Sequence, residues 1–274
     1  MIRSILGTCL ILALGVPAAS SDGMASTPPH RLEGPTNSVG VTFQPVAAFA
    51  LGDEIDGFGN VVMRASILTV APSGTLAVHD HWTRPAFAWV LEGEPVEMRD
   101  DHADPIRHAP GSVSREFGIT HFWRNPGEAP ARLLVIDLVR AGSDIGVALD
   151  QPDRRAEQPG FTGPPAAVGA RVTVQGEIDL AAVFPEIPAA RGKILRARRI
   201  DLEPGARSHL HRHEDAPSFT FVASGTVIEH RNDQPETPSF SAGMIAIDRA
   251  GMAHWWEVSG DQPVVFLVGE VVKR

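Results

Sequence analysis

Tyrosine is absent from this chain of 274 residues, and cysteine occurs once, as Cys9. The first absence excludes a tyrosine general acid. The second leaves the body of the protein without disulfides, cysteine nucleophiles or structural cysteine–zinc sites. Basic character is also lacking: 24 Lys and Arg stand against 33 Asp and Glu, a formal net charge of −9. No long-range field therefore favours nucleic acid or an anionic lipid surface. The one basic cluster, Arg196, Arg198 and Arg199, falls on a predicted strand whose alternation splits it between two faces, so it reads as solvated or ion-paired. No glycine-rich phosphate loop, G-x-S-x-G or H-E-x-x-H is present. Long apolar stripes of helical period are missing, while proline (23) and glycine (26) are plentiful. That combination favours short strands and many turns, an all-β class.

The one sustained apolar run, Ile5 to Val16, follows Arg3 and precedes Pro17-Ala18-Ala19-Ser20. This is the layout of a secretory signal peptide, and the run is shorter than the roughly 20 residues that span a bilayer. Residues 1–20 are therefore expected to be removed, taking Cys9 with them. The mature chain would be periplasmic or secreted, with no membrane contact.

What the chain does have is one histidine pattern written twice. His79-Asp80-His81 is followed by Pro85, Phe87, Gly93 and His121; His211-Arg212-His213 is followed by Pro217, Phe219, Gly225 and His254. All but the last pair stand 132 residues apart, and the last stands 133 apart. Upstream, Ile55, Arg64, Ala65 and Pro72 recur at the same interval as Ile187, Arg196, Ala197 and Pro204. A register kept over this length indicates a duplicated domain. We read an N-terminal arm over residues 21–41, a first domain over 42–142, a Pro- and Gly-rich linker over 143–167 and a second domain over 168–274.

Side chains alternate along a strand, so His79 and His81 share one face, as do His211 and His213. A third histidine about 40 residues on, from a neighbouring strand, closes a set of three. Neutral imidazole is the commonest side-chain ligand for zinc, iron, copper and nickel. The candidate metal ligands are His79, His81 and His121 in the first copy, and His211, His213 and His254 in the second. Three protein ligands leave positions open, as a catalytic or ligand-binding metal requires.

These residues resemble the cupin superfamily, and their duplication resembles a bicupin, a group that includes quercetin dioxygenase-like and oxalate-degrading enzymes. The carrying residues are the two His-x-His pairs, Gly205 six before His211, the Val-Leu-Glu-Gly turn ending at Gly93 with its counterpart Gly225, and the later Gly118, His121 and Asn125 with Gly243, Gly251 and His254. The resemblance covers most of the mature chain and implies two tandem jelly-roll β-barrels. It departs from the family at one ligand: the position of the family's glutamate falls on Ala86 and Ser218. The proline of the family's second motif falls on Glu116 and Arg249. Loss of the glutamate would leave three neutral imidazoles around a divalent ion, favouring an anionic, chelating substrate. The resemblance then narrows toward three-histidine cupins such as diketone-cleaving and thiol dioxygenases, in which substrate chelates iron, and away from oxalate decarboxylation.

Strand parity places Trp123 and Trp256 in the same lumen as His121 and His254, two residues before each. With Ala86 and Ser218 they are the candidate substrate-pocket residues. Phe87, Trp89, Phe219 and Phe221 should face the other way and pack between sheets or domains. The catalytic acid or base is not nominated by the sequence. The expectation is an exported bicupin that is an Fe(II) dioxygenase of a small molecule. A lyase or isomerase using zinc, manganese or nickel, and a non-catalytic binding or sensing module, remain open, as does a homodimer.

Overall fold

The computed structural model describes residues 32–151 and 157–274; the expected signal peptide lies outside them. Nine strands form the first sheet: β1 (Val39–Ala50), β2 (Val61–Thr75), β3 (His79–Asp80), β4 (Ala86–Glu92), β5 (Val96–Arg99), β6 (Ile106–Arg107), β7 (Val113–Glu116), β8 (Thr120–Arg124) and β9 (Ala131–Arg140). The order is β6-β5-β8-β2-β9-β4-β7, with β1 added on β2 and β3 on β8. A single helical turn, α1 (Leu180–Val183), breaks the second set after its first strand: β10 (Val168–Asp179), β11 (Lys193–Arg207), β12 (His211–Arg212), β13 (Ser218–Ser224), β14 (Thr226–Arg231), β15 (Ser239–Ser241), β16 (Ile245–Asp248), β17 (Ala253–Val258) and β18 (Val264–Lys273). Their order, β15-β14-β17-β11-β18-β13-β16 with β10 on β11 and β12 on β17, repeats the first element for element. The two sheets curl into tandem jelly-roll barrels, as the duplicated sequence leads one to expect.

Alternation sorts the side chains of β4 between two cores. Ala86, Ala88 and Val90 turn inward and pack with Trp123, Leu68, Leu133 and Val135 inside the first barrel. Phe87 and Trp89 turn outward into a core shared by both barrels, which also takes Phe49, Ile136, Phe219, Phe221 and Leu267. Phe49 and Phe219 lie 5.0 Å apart, centroid to centroid. Trp89 Nε1 donates to Gln175 Oε1 of β10 at 2.7 Å. Each barrel thus lends its first strand to the other's flank. Full burial of each such aromatic is worth roughly 1.5–3 kcal/mol, so the barrels are joined by a true core.

Two glycines are required where β4 and β13 turn. Gly93 and Gly225 both have φ near +78°. A Cβ on Gly93 would come within 2.9 Å of Ala131 Cα, and one on Gly225 within 2.5 Å of Val264 Cγ2. Only glycine takes that conformation without strain. In the shared core Gly269 is equally tight, since a Cβ there would sit 2.8 Å from two carbons of Ile136. Gly269→Ala should therefore cost about 1–3 kcal/mol by overpacking, read as a lower urea midpoint with unchanged far-ultraviolet circular dichroism.

Candidate metal centres

The register of short strands brings the histidines together. His79 of β3 lies directly opposite His121 of β8, and His211 of β12 opposite His254 of β17, the closest relation two strands allow. His81 follows β3 and is fixed by its own N–H, which donates to Ile119 O at 2.9 Å. The three rings of the first barrel lie with centroids 4.5–5.1 Å apart.

Hydrogen bonds on the far side of each ring determine which nitrogen is available. In the first barrel Nδ1 of His79, His81 and His121 faces Ala77 O (2.9 Å), Arg84 O (2.7 Å) and Glu97 Oε1 (2.6 Å). In the second, Nδ1 of His211, His213 and His254 faces His209 O (3.0 Å), Ala216 O (2.8 Å) and Glu229 Oε1 (2.6 Å). The four carbonyls and the Glu97 carboxylate are acceptors, so in those five rings Nδ1 carries the proton and Nε2 keeps its lone pair. Yet the Nε2 atoms converge: His121 and His79 at 3.1 Å, His213 and His254 at 3.0 Å, His254 and His211 at 3.0 Å. Acceptors facing one another without a proton between them fit a shared cation, and an acceptor on the opposite nitrogen is the usual support of a ligating imidazole. Burial holds His79 and His211 down to about 4, His81 to about 2 and His254 to about 3. These rings are neutral near pH 7, the form that binds a metal. Each set of three is of a composition and spacing that can hold a metal ion.

Carboxylates stand near each triad on a strand other than the one that bears Ala86 or Ser218. Ala86 is register-paired with Glu116 of β7, and Ser218 with Asp248 of β16. An acid thus enters each site from the adjacent strand. Glu116 Oε2 lies 3.4 Å from His81 Nε2, and Oε1 3.9 Å from His121 Nε2. Burial raises the pKa of Glu116 above the usual carboxylate range. The pairing also corrects Arg249 as the equivalent of Glu116, because the β16–β17 turn is one residue longer than the β7–β8 turn. Arg249 instead joins the barrels, donating to Glu54 Oε1 at 2.6 Å and lying 4.8 Å from the Phe49 ring.

Two further buried acids, Glu97 and Glu229, orient His121 and His254, and their settings differ. Glu97 also receives His108 Nε2 at 2.9 Å and Ser114 Oγ at 2.9 Å. Burial alone would raise its pKa, but the bonds from His108 and His121 hold it well below the ordinary range. In the second barrel Phe240 and Ala246 stand where the repeat has His108 and Ser114. Glu229 is pushed up to about 8, by burial first and by Asp248 next. His108, in a stretch that reads as a polar turn, is buried. These acids were findable: Glu97, Arg99, Asp101 and Glu116 recur 132 residues later as Glu229, Arg231, Asp233 and Asp248.

Each triad opens on a cavity. The first, of about 290 Å³, is bounded by His79, His81, Glu116, Trp123, Arg84 and a wall of Phe43, Leu68, Leu76 and Val135. The second, of about 140 Å³, takes in His211, His213, His254, Ser218 and Trp256. Trp123 lines the first cavity, and Ser218 and Trp256 line the second. Ala86 is sealed in the barrel core, and Glu116, across the strand pair, lines the first cavity. His209 is exposed at the second mouth, its ring 5.1 Å from that of His211.

Arg84 is peculiar to the first site, for the repeat places Ala216 at its position. Its Nη2 lies 3.4 Å from His81 Nε2. Its nearest carboxylate among the described residues is Asp137 at 3.9 Å, already bound through both oxygens by Arg64 at 3.1 and 2.7 Å. A guanidinium without a close counter-ion thus faces the first cavity.

Comparison with known proteins agrees with this architecture. Residues 198–269, most of the second barrel, match the cupin domain model. The chain has the bicupin fold. Among solved structures it is similar to salicylate 1,2-dioxygenase from Pseudaminobacter salicylatoxidans, at 17% identity and a TM-score of 0.52 over 76% of this chain and 70% of that one. It is likewise similar to a variant of oxalate decarboxylase from Bacillus subtilis, at 16% identity and a TM-score of 0.50 over 83% and 77%. No curated protein matches in sequence. At such identities the bicupin likeness speaks for the fold alone.

Proposed function

We propose that this bicupin is a metal-dependent oxidoreductase of dioxygenase type, acting on a small anionic substrate in the first barrel. The observation that carries the reading is the coincidence, in one cavity, of converging imidazole nitrogens, an Arg84 with no carboxylate nearer than Asp137 at 3.9 Å among the described residues, and an apolar wall. Of the two cavities it is the larger, and the arginine that lines the other, Arg198, is bound to Glu270 at 2.7 Å. Arg84 would bind the anionic group of the substrate by a charge-assisted hydrogen bond. Phe43, Leu68 and Val135 would take its apolar body and exclude water. Glu97 keeps the Nδ1 proton of His121 in place, so that Nε2 stays directed at the centre. Bound by His79, His81 and His121, Fe(II) would supply the one-electron chemistry that dioxygen requires, and one of the similar folds belongs to a dioxygenase.

A second reading has an observation of its own. A lyase or isomerase using zinc, manganese or nickel needs a base near the substrate, and Glu116 is a buried carboxylate at that place. Metal analysis of protein purified without oxygen, followed by oxygen-uptake screening against small chelating anions, separates the two. Iron with substrate-dependent uptake supports the dioxygenase, and zinc or manganese without uptake the lyase. Under either, Arg84→Met should raise KM for an anionic substrate about 10- to 100-fold, the worth of one hydrogen bond to a charged group, with a smaller change in kcat. An unchanged KM removes Arg84 from substrate binding.

Export belongs to the same proposal, on the layout of residues 1–20. Mass spectrometry of natively expressed protein should find an N-terminus near Ala18 to Ser20. An intact Met1 would overturn it.

A further inference from the structure

We propose that the two barrels hold unlike metal centres: in the first, Glu116 joins the three histidines as a fourth ligand, whereas in the second Ser218 and Thr220 hold Asp248 away from the ion. This rests on the reading that the histidine triads take a divalent ion. It goes beyond it in giving the chain one four-ligand and one three-ligand site.

The backbone places both acids alike, opposite Ala86 and Ser218, so the difference lies in the side chains. Glu116 is one methylene longer than Asp248. Its strand neighbours toward the lumen are Ala86 and Ala88, which offer it no hydrogen bond. Among the described residues its one hydrogen-bond donor is Trp123 Nε1, at a long 3.3 Å. Its oxygens accordingly lean toward two of the three Nε2 atoms, Oε2 at 3.4 Å from His81 and Oε1 at 3.9 Å from His121, and an ion would have to draw it toward His79 to complete the set. Two donors each about 2.1 Å from one shared ion lie ~3–3.5 Å apart, the separation of Glu116 Oε2 from His81 Nε2.

Asp248 meets the opposite circumstances. Where the first barrel has Ala86 and Ala88, the second has Ser218 and Thr220, and both hydroxyls donate to Asp248 Oδ2 at 2.7 Å. The other oxygen, Oδ1, is buried with no hydrogen-bond partner among the described residues and comes to 3.8 Å of His254 Nδ1. That nitrogen is on the outer side of the ring, turned to Glu229, and is not the one that converges with His211 and His213. Asp248 lines the second cavity beside its triad, but one of its oxygens is taken up by two hydroxyls and the other lies nearest the outer nitrogen of His254.

A carboxylate ligand reduces the charge of a divalent centre and adds one bond, so the first site should bind more tightly. The test is titration of Mn(II) or Co(II) into metal-free protein. His254→Ala isolates the first barrel and His121→Ala the second. Glu116→Gln in the first background should weaken binding about 100-fold, at least as much as loss of a residue supporting a ligand, and should alter the visible Co(II) spectrum. Asp248→Asn in the second background should change affinity less than about threefold, below the 10- to 100-fold effect of a residue hydrogen-bonded to a ligand, because Asp248 makes no such bond to His254. Conversely, Ser218→Ala, Thr220→Ala and Asp248→Glu together rebuild the first site in the second barrel and should raise its affinity at least tenfold. This gain does not depend on the fold surviving loss of Glu116. A folded Glu116→Gln protein with unchanged affinity and Co(II) spectrum overturns the proposal, as does equal affinity of the two barrels. Failure of either barrel to take up an ion overturns it together with the histidine reading, and so is told apart from failure of the inference alone.

Discussion

His121→Ala should abolish turnover and remove the ion of the first barrel, while His254→Ala should remove the ion of the second and leave turnover in place. The expectation follows from the position of each ring. His121 and His254 are fully buried, each is the cross-strand partner of another triad member, and each is the triad member oriented by a buried acid at 2.6 Å. Alanine removes a ligand, opens space for water and leaves that acid without its strongest partner. The triads stand in separate sheets, so loss of one should not propagate to the other. Metal content per chain by mass spectrometry and oxygen uptake with a chelating anion give the two readouts. A variant that keeps full metal content shows its triad misassigned. Turnover lost with His254→Ala but kept with His121→Ala would move the chemistry to the second barrel.

The barrels and the six histidines were legible because a repeat carries its own control. One H-x-H on a strand says little, but two in register, each with a third histidine beyond, fix strand parity and pairing at once. Parity also sent Phe87, Trp89, Phe219 and Phe221 to the shared core and Trp123 to the lumen. The carboxylates were harder to read, for a physical reason. A pattern along one strand finds a ligand contributed by that strand, and here the acid comes from β7 or β16, across a hydrogen-bonded pair. Ala86 and Glu116 are 30 positions apart in the chain but adjacent in the sheet. Arg249 was misaligned with Glu116 because the added residue of the second copy lies in the turn between them and the third histidine. The 132-residue interval, carried through Glu97, Glu116, Glu229 and Asp248, holds the missing signal. Arg84 left no such trace, since it has no counterpart in the repeat. Its significance depends on Asp137 being already occupied by Arg64.

That last contact sets the largest stability effect expected here. Arg64 and Asp137 are both buried, at 5% and 1% exposure, and their paired bond links β2 to β9 beside the first cavity. Arg64 Nη1 also donates to Asp144 O at 3.3 Å, tying down the chain that leaves the barrel. Arg64→Met would leave a buried carboxylate with only the distant Arg84 for a partner, and stranding one member of a buried pair costs about 3–5 kcal/mol. The second barrel is built differently at this point. Glu270, the counterpart of Asp137, receives Arg196 Nε at 2.6 Å and Arg198 Nη2 at 2.7 Å, because Arg198 stands where the first barrel has Ser66. Arg196→Met leaves Glu270 with one close guanidinium and should cost no more than about 1–3 kcal/mol, the worth of a lost hydrogen bond to a charge. Thermal unfolding of the two variants side by side should therefore show Arg64→Met melting about 10 °C lower than wild type, at the few degrees per kcal/mol usual for domains of this size. Arg196→Met should fall in between. Equal losses would mean that Arg84 moves in to serve Asp137 as Arg198 serves Glu270, and that its charge is not reserved for a ligand in the cavity.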